Sequence, residues 1–342
     1  MRSDHESRLL NQFTTNVHRY VAYGGILESE LSFPELPAAA ADAAGSHRWR
    51  LLVGREPVPD LDGAVRAGER LTGAEAYVLW TSTQGFRLEY SHAGVFDVDV
   101  DRAEVTWYPR ANENVELARA ILIGPVAALL LEAMGDICLH GSAVLAADGA
   151  IAFVAPKRHG KSTLALALTA AGCRLMSDDL VAITGDDPPL MRPAVPTVRL
   201  WGDAATQLRP EALCDTRIPG IKHTLGHFHG DRIANDAALL SAIYVLIPQR
   251  GSEGGVRRAR LGGAEAAIAL ALQKKLADTL IGYGDAASRL PRAAALAAAV
   301  AVYELHVPRD FAALPGVVEQ IIGWHGAATS GMTPVRVVVE QG

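Results

Sequence analysis

The chain has 342 residues, 49% of them hydrophobic, with 32 Lys and Arg against 38 Asp and Glu for a formal net charge of -6. That length accommodates two domains with a sizeable core, and the mildly acidic, interspersed charge argues against a nucleic-acid surface held by counterion release. Three cysteines, Cys138, Cys173 and Cys214, stand too far apart for C-x-x-C metal or dithiol chemistry and read as buried small residues of a reducing compartment.

The start, "MRSDHESRLLNQ", is polar and charged where an export signal needs an apolar core, so a cytoplasmic location is expected. From about residue 18 to 110, short β-branched and aromatic segments ("RWRLLVG", "AYVLWTS", "FRLEYS", "VFDVDV", "EVTWYP") alternate with Gly, Pro and Asp clusters. This predicts a β-rich N-terminal domain, bounded at 1–112. "LARAILIGPVAALLLEAMG", residues 117–135, is interrupted by Arg119, Pro125 and Glu132, short of the roughly 18 clean apolar residues of a membrane span, and reads as a buried helix. The Ala-rich run at 293–305 is likewise too short to span.

A second domain is expected over 113–342. In "ICLHGSAVLAADGAIAFVAP" two apolar runs flank Ala147-Asp148-Gly149, a hairpin signal. The hairpin leads into "APKRHGKSTLALAL", then a helix over about 161–171, a break at Gly172 and a strand "RLMSDDLVAIT". Further strands are expected at "AVPTVRLW", "SAIYVLIP" and "VYELHVP", with the rest of the C-terminal part mostly helical.

Residues 155–162 end as a Walker A loop does. Such a loop needs backbone N–H groups to wrap phosphate, a lysine to reach the outer oxygens and a hydroxyl for Mg²⁺. Here Arg158, His159 and Gly160 supply backbone, Lys161 the cation, and Ser162 and Thr163 the hydroxyls, while Ala155 stands where the opening glycine is usual. Downstream, Asp178-Asp179 sit at a predicted strand end. Adjacent strand residues face opposite sides, so both reach one site only at an end or bend. One would hold Mg²⁺ and the other accept a proton from an attacking hydroxyl. His140, in "CLHGSAV", falls on a neighbouring strand.

Together, "LHGSAV", "APKRHGKSTLALAL" and "AGCRLMSDDLVAI" resemble, in order and spacing, the catalytic domain of bacterial HPr kinase/phosphorylase, closely over 137–184 and loosely to about 320. "YVAYGGILESELSFPELP" and "PTVRLW" look like the HPr-kinase-like proteins of lasso-peptide and other ribosomal-peptide biosynthesis. The resemblance implies an α/β, mixed-sheet P-loop kinase core behind the β-rich domain, with ATP and Mg²⁺ as cofactors. It implies Lys161 and Ser162 at the phosphates and metal, Asp178 as acid/base, Asp179 as metal partner and His140 beside the catalytic carboxylate. The implied acceptor is a serine at the end of a precursor peptide. A small-molecule hydroxyl, or nucleotide binding without turnover in a regulatory protein, are the alternatives, and a homo-oligomer is compatible. Two departures accompany the resemblance: Ala155 itself, and "MRPAVPTVRLWGD" in place of the glutamate-bearing, glycine-rich segment of HPr kinases.

Two basic segments complete the candidates. "IPGIKHTLGHFHGDR" offers Lys222 or Arg232 as a cation for a transferring phosphoryl group, and its H-x-x-x-H spacing would place two imidazoles together if helical. Arg257, Arg258 and Arg260 read as a solvated surface cluster.

Overall fold

A computed structural model describes residues 13–43, 45, 47–55, 57–70, 76–110, 114–185, 187–200, 204, 208, 223–227, 230–249, 255–273 and 286–326. It forms two compact units, Met1–Asp136 with Leu276–Ser288, and Ile137–Lys275 with Arg289–Gly342. The sequence boundary at residue 112/113 follows the last strand of the first sheet. The helical stretch after that strand packs within the first unit.

The first unit carries one mixed eight-stranded sheet. Its strands are β1 (Phe13–Ala22), β2 (Gly25–Leu31), β3 (Arg48–Val53), β4 (Val65–Arg70), β5 (Tyr77–Thr81), β6 (Gly85–Tyr90), β7 (Gly94–Asp99) and β8 (Glu104–Tyr108). The spatial order is β1-β2-β3-β8-β7-β6-β5-β4. Only β2–β3 and β3–β8 are parallel; the other neighbours are antiparallel. Alternation sets the buried face, with Leu79, Leu88, Phe96 and Trp107 fully enclosed. Arg87 is held inside, where it donates to both carboxylate oxygens of Asp97, at 2.6 and 2.7 Å, and to the Pro59 carbonyl. These bonds hold its guanidinium above the ordinary arginine range, against the opposing cost of burial.

The apolar stretch after β8 is helical, as expected: α1 (Val115–Ile121) is capped by Asn114, whose side chain accepts from the Leu117 N–H. It continues through a π-helical turn, Leu122–Val126, into α2 (Ala127–Ala133). Pro125 lies inside that turn, and the Tyr23 hydroxyl donates to the Ile123 carbonyl there. No helix among the described residues is long and apolar enough to cross a membrane.

The second unit is built on a mixed nine-stranded sheet. β9 (Ile137–Leu139), β10 (Gly141–Ala146), β11 (Gly149–Val154), β12 (Arg174–Asp178), β13 (Val181–Ile183) and β14 (Leu190–Met191) precede the long β17 (Ala238–Gln249). β15 (Thr197–Leu200) and β16 (His223–His227) pair separately as a two-stranded sheet. β17 runs parallel to β11 and to β19 (Ala301–Pro308), and β18 (Arg257–Arg260) adds antiparallel to β19.

The helices are α3 (Lys161–Ala170), α4 (Gly263–Leu272), α5 (Ala286–Ala299) and α6 (Leu314–His325). Both faces of the sheet are covered. Ile151, Phe153, Tyr244 and Leu305 share a core with α3 and α6, while Ala152, Val154, Ile243 and Val302 share another with α4 and α5. β17 therefore reads as a nearly continuous apolar run.

The backbone bears on three sequence readings. "RLMSDDLVAIT" is two strands rather than one, broken at Asp179 and Leu180. Arg257–Arg260 are all exposed, as a solvated surface cluster should be, and their backbone adds an edge strand paired to β19. His223 and His227 lie on a strand, paired to Leu200 and Thr197, so their spacing is not that of a helical face. Cys138 and Cys173 are buried; Cys214 lies outside the described residues.

Candidate functional site

The hairpin falls where Ala147-Asp148-Gly149 placed it. β10 and β11 pair antiparallel from Gly141↔Val154 to Ala146↔Gly149, and Gly149 has a φ of +132°. β11 delivers the chain to Ala155, which is completely buried in the same core as Leu164 and Ala165 of α3.

Residues 156–160 then arch over the start of α3. Arg158 and Gly160 both take left-handed conformations, φ +66° and +88°. Gly160 is the N-cap and contributes no side-chain cap, so the first N–H groups of α3 have no intrahelical partner. A Cβ at Gly160 would meet nothing within 4 Å, so it is the backbone conformation, not space, that favours glycine. Lys161, a buried residue at 6% exposure, folds back under the arch, and its ammonium donates to the Ala155 and Pro156 carbonyls at 2.8 and 3.0 Å. His159 Nδ1 lies 3.0 Å from the Lys157 carbonyl oxygen, and Thr163 follows Ser162 in the first turn of α3. α3 closes at Gly172, whose φ is +102°.

Two strand breaks coincide beside this arch. β9 and β10 are interrupted at His140, while β12 and β13 are interrupted at Asp179 and Leu180. The ladders on either side remain in step, Ser142↔Asp178 within β10–β12 and Leu139↔Val181 within β9–β13. The breaks therefore face one another. Asp179 takes a φ of +78°, which lets the two consecutive aspartates avoid the opposite-face alternation of a continuous strand. His140 Nδ1 lies 3.2 Å from Asp179 Oδ1 and 3.3 Å from the Asp179 carbonyl oxygen, both side chains being partly exposed.

Asp178 points to α3 instead. Ser162 Oγ donates to its Oδ1 at 2.7 Å, and Ser142 Oγ donates to the same oxygen at 2.6 Å. The Arg199 N–H, from β15, donates to Oδ2 at 2.9 Å. Thus Arg199, in the quoted "PTVRLW", contributes backbone, and Ser142, in the quoted "LHGSAV", contributes a hydroxyl; neither residue was itself singled out from sequence. The register Ser142↔Asp178 is the signal that would have found Ser142, since it makes the pair direct cross-strand neighbours.

The geometry thus gathers His140, Gly160, Lys161, Ser162, Asp178 and Asp179 at one end of the sheet, with the two carboxylates engaged differently: Asp178 with the serine of the loop, Asp179 with the histidine. Arg232 lies in a short 3-10 turn, Gly230–Arg232, and the next residue, Ile233, bridges Leu175 of β12. Lys222 lies outside the described residues.

No protein-family model matches the chain, and no curated protein matches it. Among solved structures, it is similar to the HPr(Ser) kinase/phosphatase from Coxiella burnetii over 55% of this chain and 95% of that chain, with 10% identity and a TM-score of 0.29.

Proposed function

We propose that the protein is an ATP- and Mg²⁺-dependent kinase that phosphorylates a hydroxyl. One observation carries the reading: the first hydroxyl of α3, on Ser162, is hydrogen-bonded to a strand-end carboxylate, Asp178, beneath a loop whose lysine and left-handed glycine are already in place. A nucleotide's phosphates would suit that place, because the positive end of α3 and its first-turn backbone N–H groups lie beside the open space over Gly160.

Backbone from Arg158 to Gly160, with Lys161, Ser162 and Thr163, would hold the phosphates, and Ser162 with Asp178 would hold the cation. ATP with Mg²⁺ supplies the phosphoryl group and partial neutralisation of its charge. Lys161, whose ammonium donates to the Ala155 and Pro156 carbonyls, would offset the negative charge of the phosphates. Asp179, partly exposed and set against His140, accepts the proton of the acceptor hydroxyl, while His140 orients that carboxylate. This reverses the roles that the sequence resemblance implies for the two aspartates. The reason is the donor set: three donors converge on Asp178 and hold it against Ser162, while Asp179 stands against His140. Arg232 is a candidate cation for the transition state.

The sequence resemblance supports a serine of a ribosomal precursor peptide, of the lasso class, as acceptor; a small-molecule hydroxyl is the alternative. The test incubates the protein with Mg²⁺ and γ-labelled ATP, with and without such a peptide. Lys161→Ala and Asp179→Asn should each lower transfer roughly 100-fold or more. Asp178→Asn should lose activity that higher Mg²⁺ partly restores, whereas Asp179→Asn should not respond. Label on the peptide identifies a peptide kinase, and label on a small molecule only identifies the alternative. Nucleotide binding with no transfer to any hydroxyl would defeat the kinase reading.

A further inference from the structure

We propose that Ser142 is a positioning residue for the divalent cation, acting through Asp178 on Ser162. The inference rests on the kinase reading above and assigns a role in it to a residue outside the loop.

Ser142 is completely buried in β10, directly before Ala143 and Val144, which are also completely buried. A hydroxyl in such surroundings is costly unless it is hydrogen-bonded, and an alanine would serve the packing of the strand equally well. Its partner is Asp178 Oδ1, at 2.6 Å. Because Ser142 and Asp178 are opposite one another in the β10–β12 ladder, the backbone itself fixes this contact. The carboxylate is thereby held at three points: two serine hydroxyls on Oδ1 and the Arg199 N–H on Oδ2.

The consequence falls on Ser162. Its single hydroxyl proton is donated to Asp178, so its lone pairs are directed away from that carboxylate and remain available to a cation. Rotation of the Asp178 carboxyl group would turn the Ser162 hydroxyl with it. Ser142 opposes that rotation with a group that cannot itself swing, since it is enclosed and on a strand. Groups that orient a metal ligand in this way are commonly worth an order of magnitude or more in metal affinity.

The test measures Mn²⁺ binding by electron paramagnetic resonance, in the presence of a non-hydrolysable ATP analogue with an imido β,γ-bridge. Wild type, Ser142→Ala and Ser142→Thr are compared, with thermal melting of each. Ser142→Ala should bind Mn²⁺ about 10-fold more weakly, Ser142→Thr, which retains the hydroxyl, should remain close to wild type, and analogue affinity in EDTA should be unchanged. Equal Mn²⁺ affinity in wild type and Ser142→Ala would overturn the proposal and leave the kinase reading standing. Equal weakening in the alanine and threonine variants would make Ser142 a packing residue, which also overturns it. If wild type binds neither the analogue nor Mn²⁺, the kinase reading itself fails and takes this inference with it.

Discussion

Ala155 shows how a single residue departs from a familiar loop without opening it. Its φ is not in the left-handed region, and its side chain is enclosed in the core that joins β11 to α3. The conformational demand for glycine is met further along, at Gly160, with Arg158 also left-handed. Restoring the usual glycine should therefore weaken the protein rather than improve the site. Ala155→Gly removes a buried methyl and frees the backbone, which together cost roughly 1–2 kcal/mol. A lower denaturant midpoint with unchanged ATP affinity is the expected result; tighter ATP binding would show that the alanine restricts the loop. The sequence displayed the loop's ending and its substituted start, but not the burial of Ala155, since that depends on the core into which the chain runs just after β11.

At the level of elements, the end of α6 is tied to the sheet by polar groups that the sequence left unconnected. His325 Nδ1 lies 2.8 Å from Asp148 on the β10–β11 turn, and its Nε2 lies 2.6 Å from the hydroxyl of Tyr244 in β17. Arg258 of β18 donates to that hydroxyl at 2.8 Å and stacks over Trp324 and Tyr303. Burial raises the Tyr244 phenol above its ordinary value, with the Arg258 hydrogen bond opposing. A raised folded-state value means that the folded chain retains this proton longer than the unfolded one. Stability from the buried neutral phenol is then complete below about pH 10 and falls as pH rises beyond it. Tyr244→Phe should lose about 1–2 kcal/mol near neutrality, from the bonds to His325 and Arg258, and should show a shallower alkaline decline. Urea unfolding across pH 8–11 checks both, and an alkaline slope equal to wild type's would assign the decline to other groups. The hairpin, the helix start and the stop at Gly172 were legible because they depend on turn and cap chemistry within a few residues. The paired breaks at His140 and Asp179 were not, because they arise only when β9–β10 and β12–β13 lie side by side.

Across the whole molecule, sequence pattern was most informative where burial was two-sided. "SAIYVLIP" announced β17, which has ladders to β11 and β19 and a core on each face. It was least informative at β18, whose four residues are all exposed and whose strand character comes from β19 alone. Three arginines on a four-residue edge also discourage further strand addition by another chain. These two extremes set an expected hierarchy of opening. Amides of Ile243–Leu246 should exchange with solvent only on global unfolding of their unit, while those of Arg257–Arg260 should exchange about 100-fold faster or more. Hydrogen exchange read by mass spectrometry measures both in one experiment. Adding Mg²⁺ and the non-hydrolysable ATP analogue should slow exchange across 156–163 and leave β18 unchanged, because phosphate would engage the arch and the first turn of α3 but not the sheet edge. Protection of β18 as strong as that of β17 without ligand would mean that its outer edge is paired in solution, and protection spreading to β18 on ligand addition would mean that the edge belongs to the site.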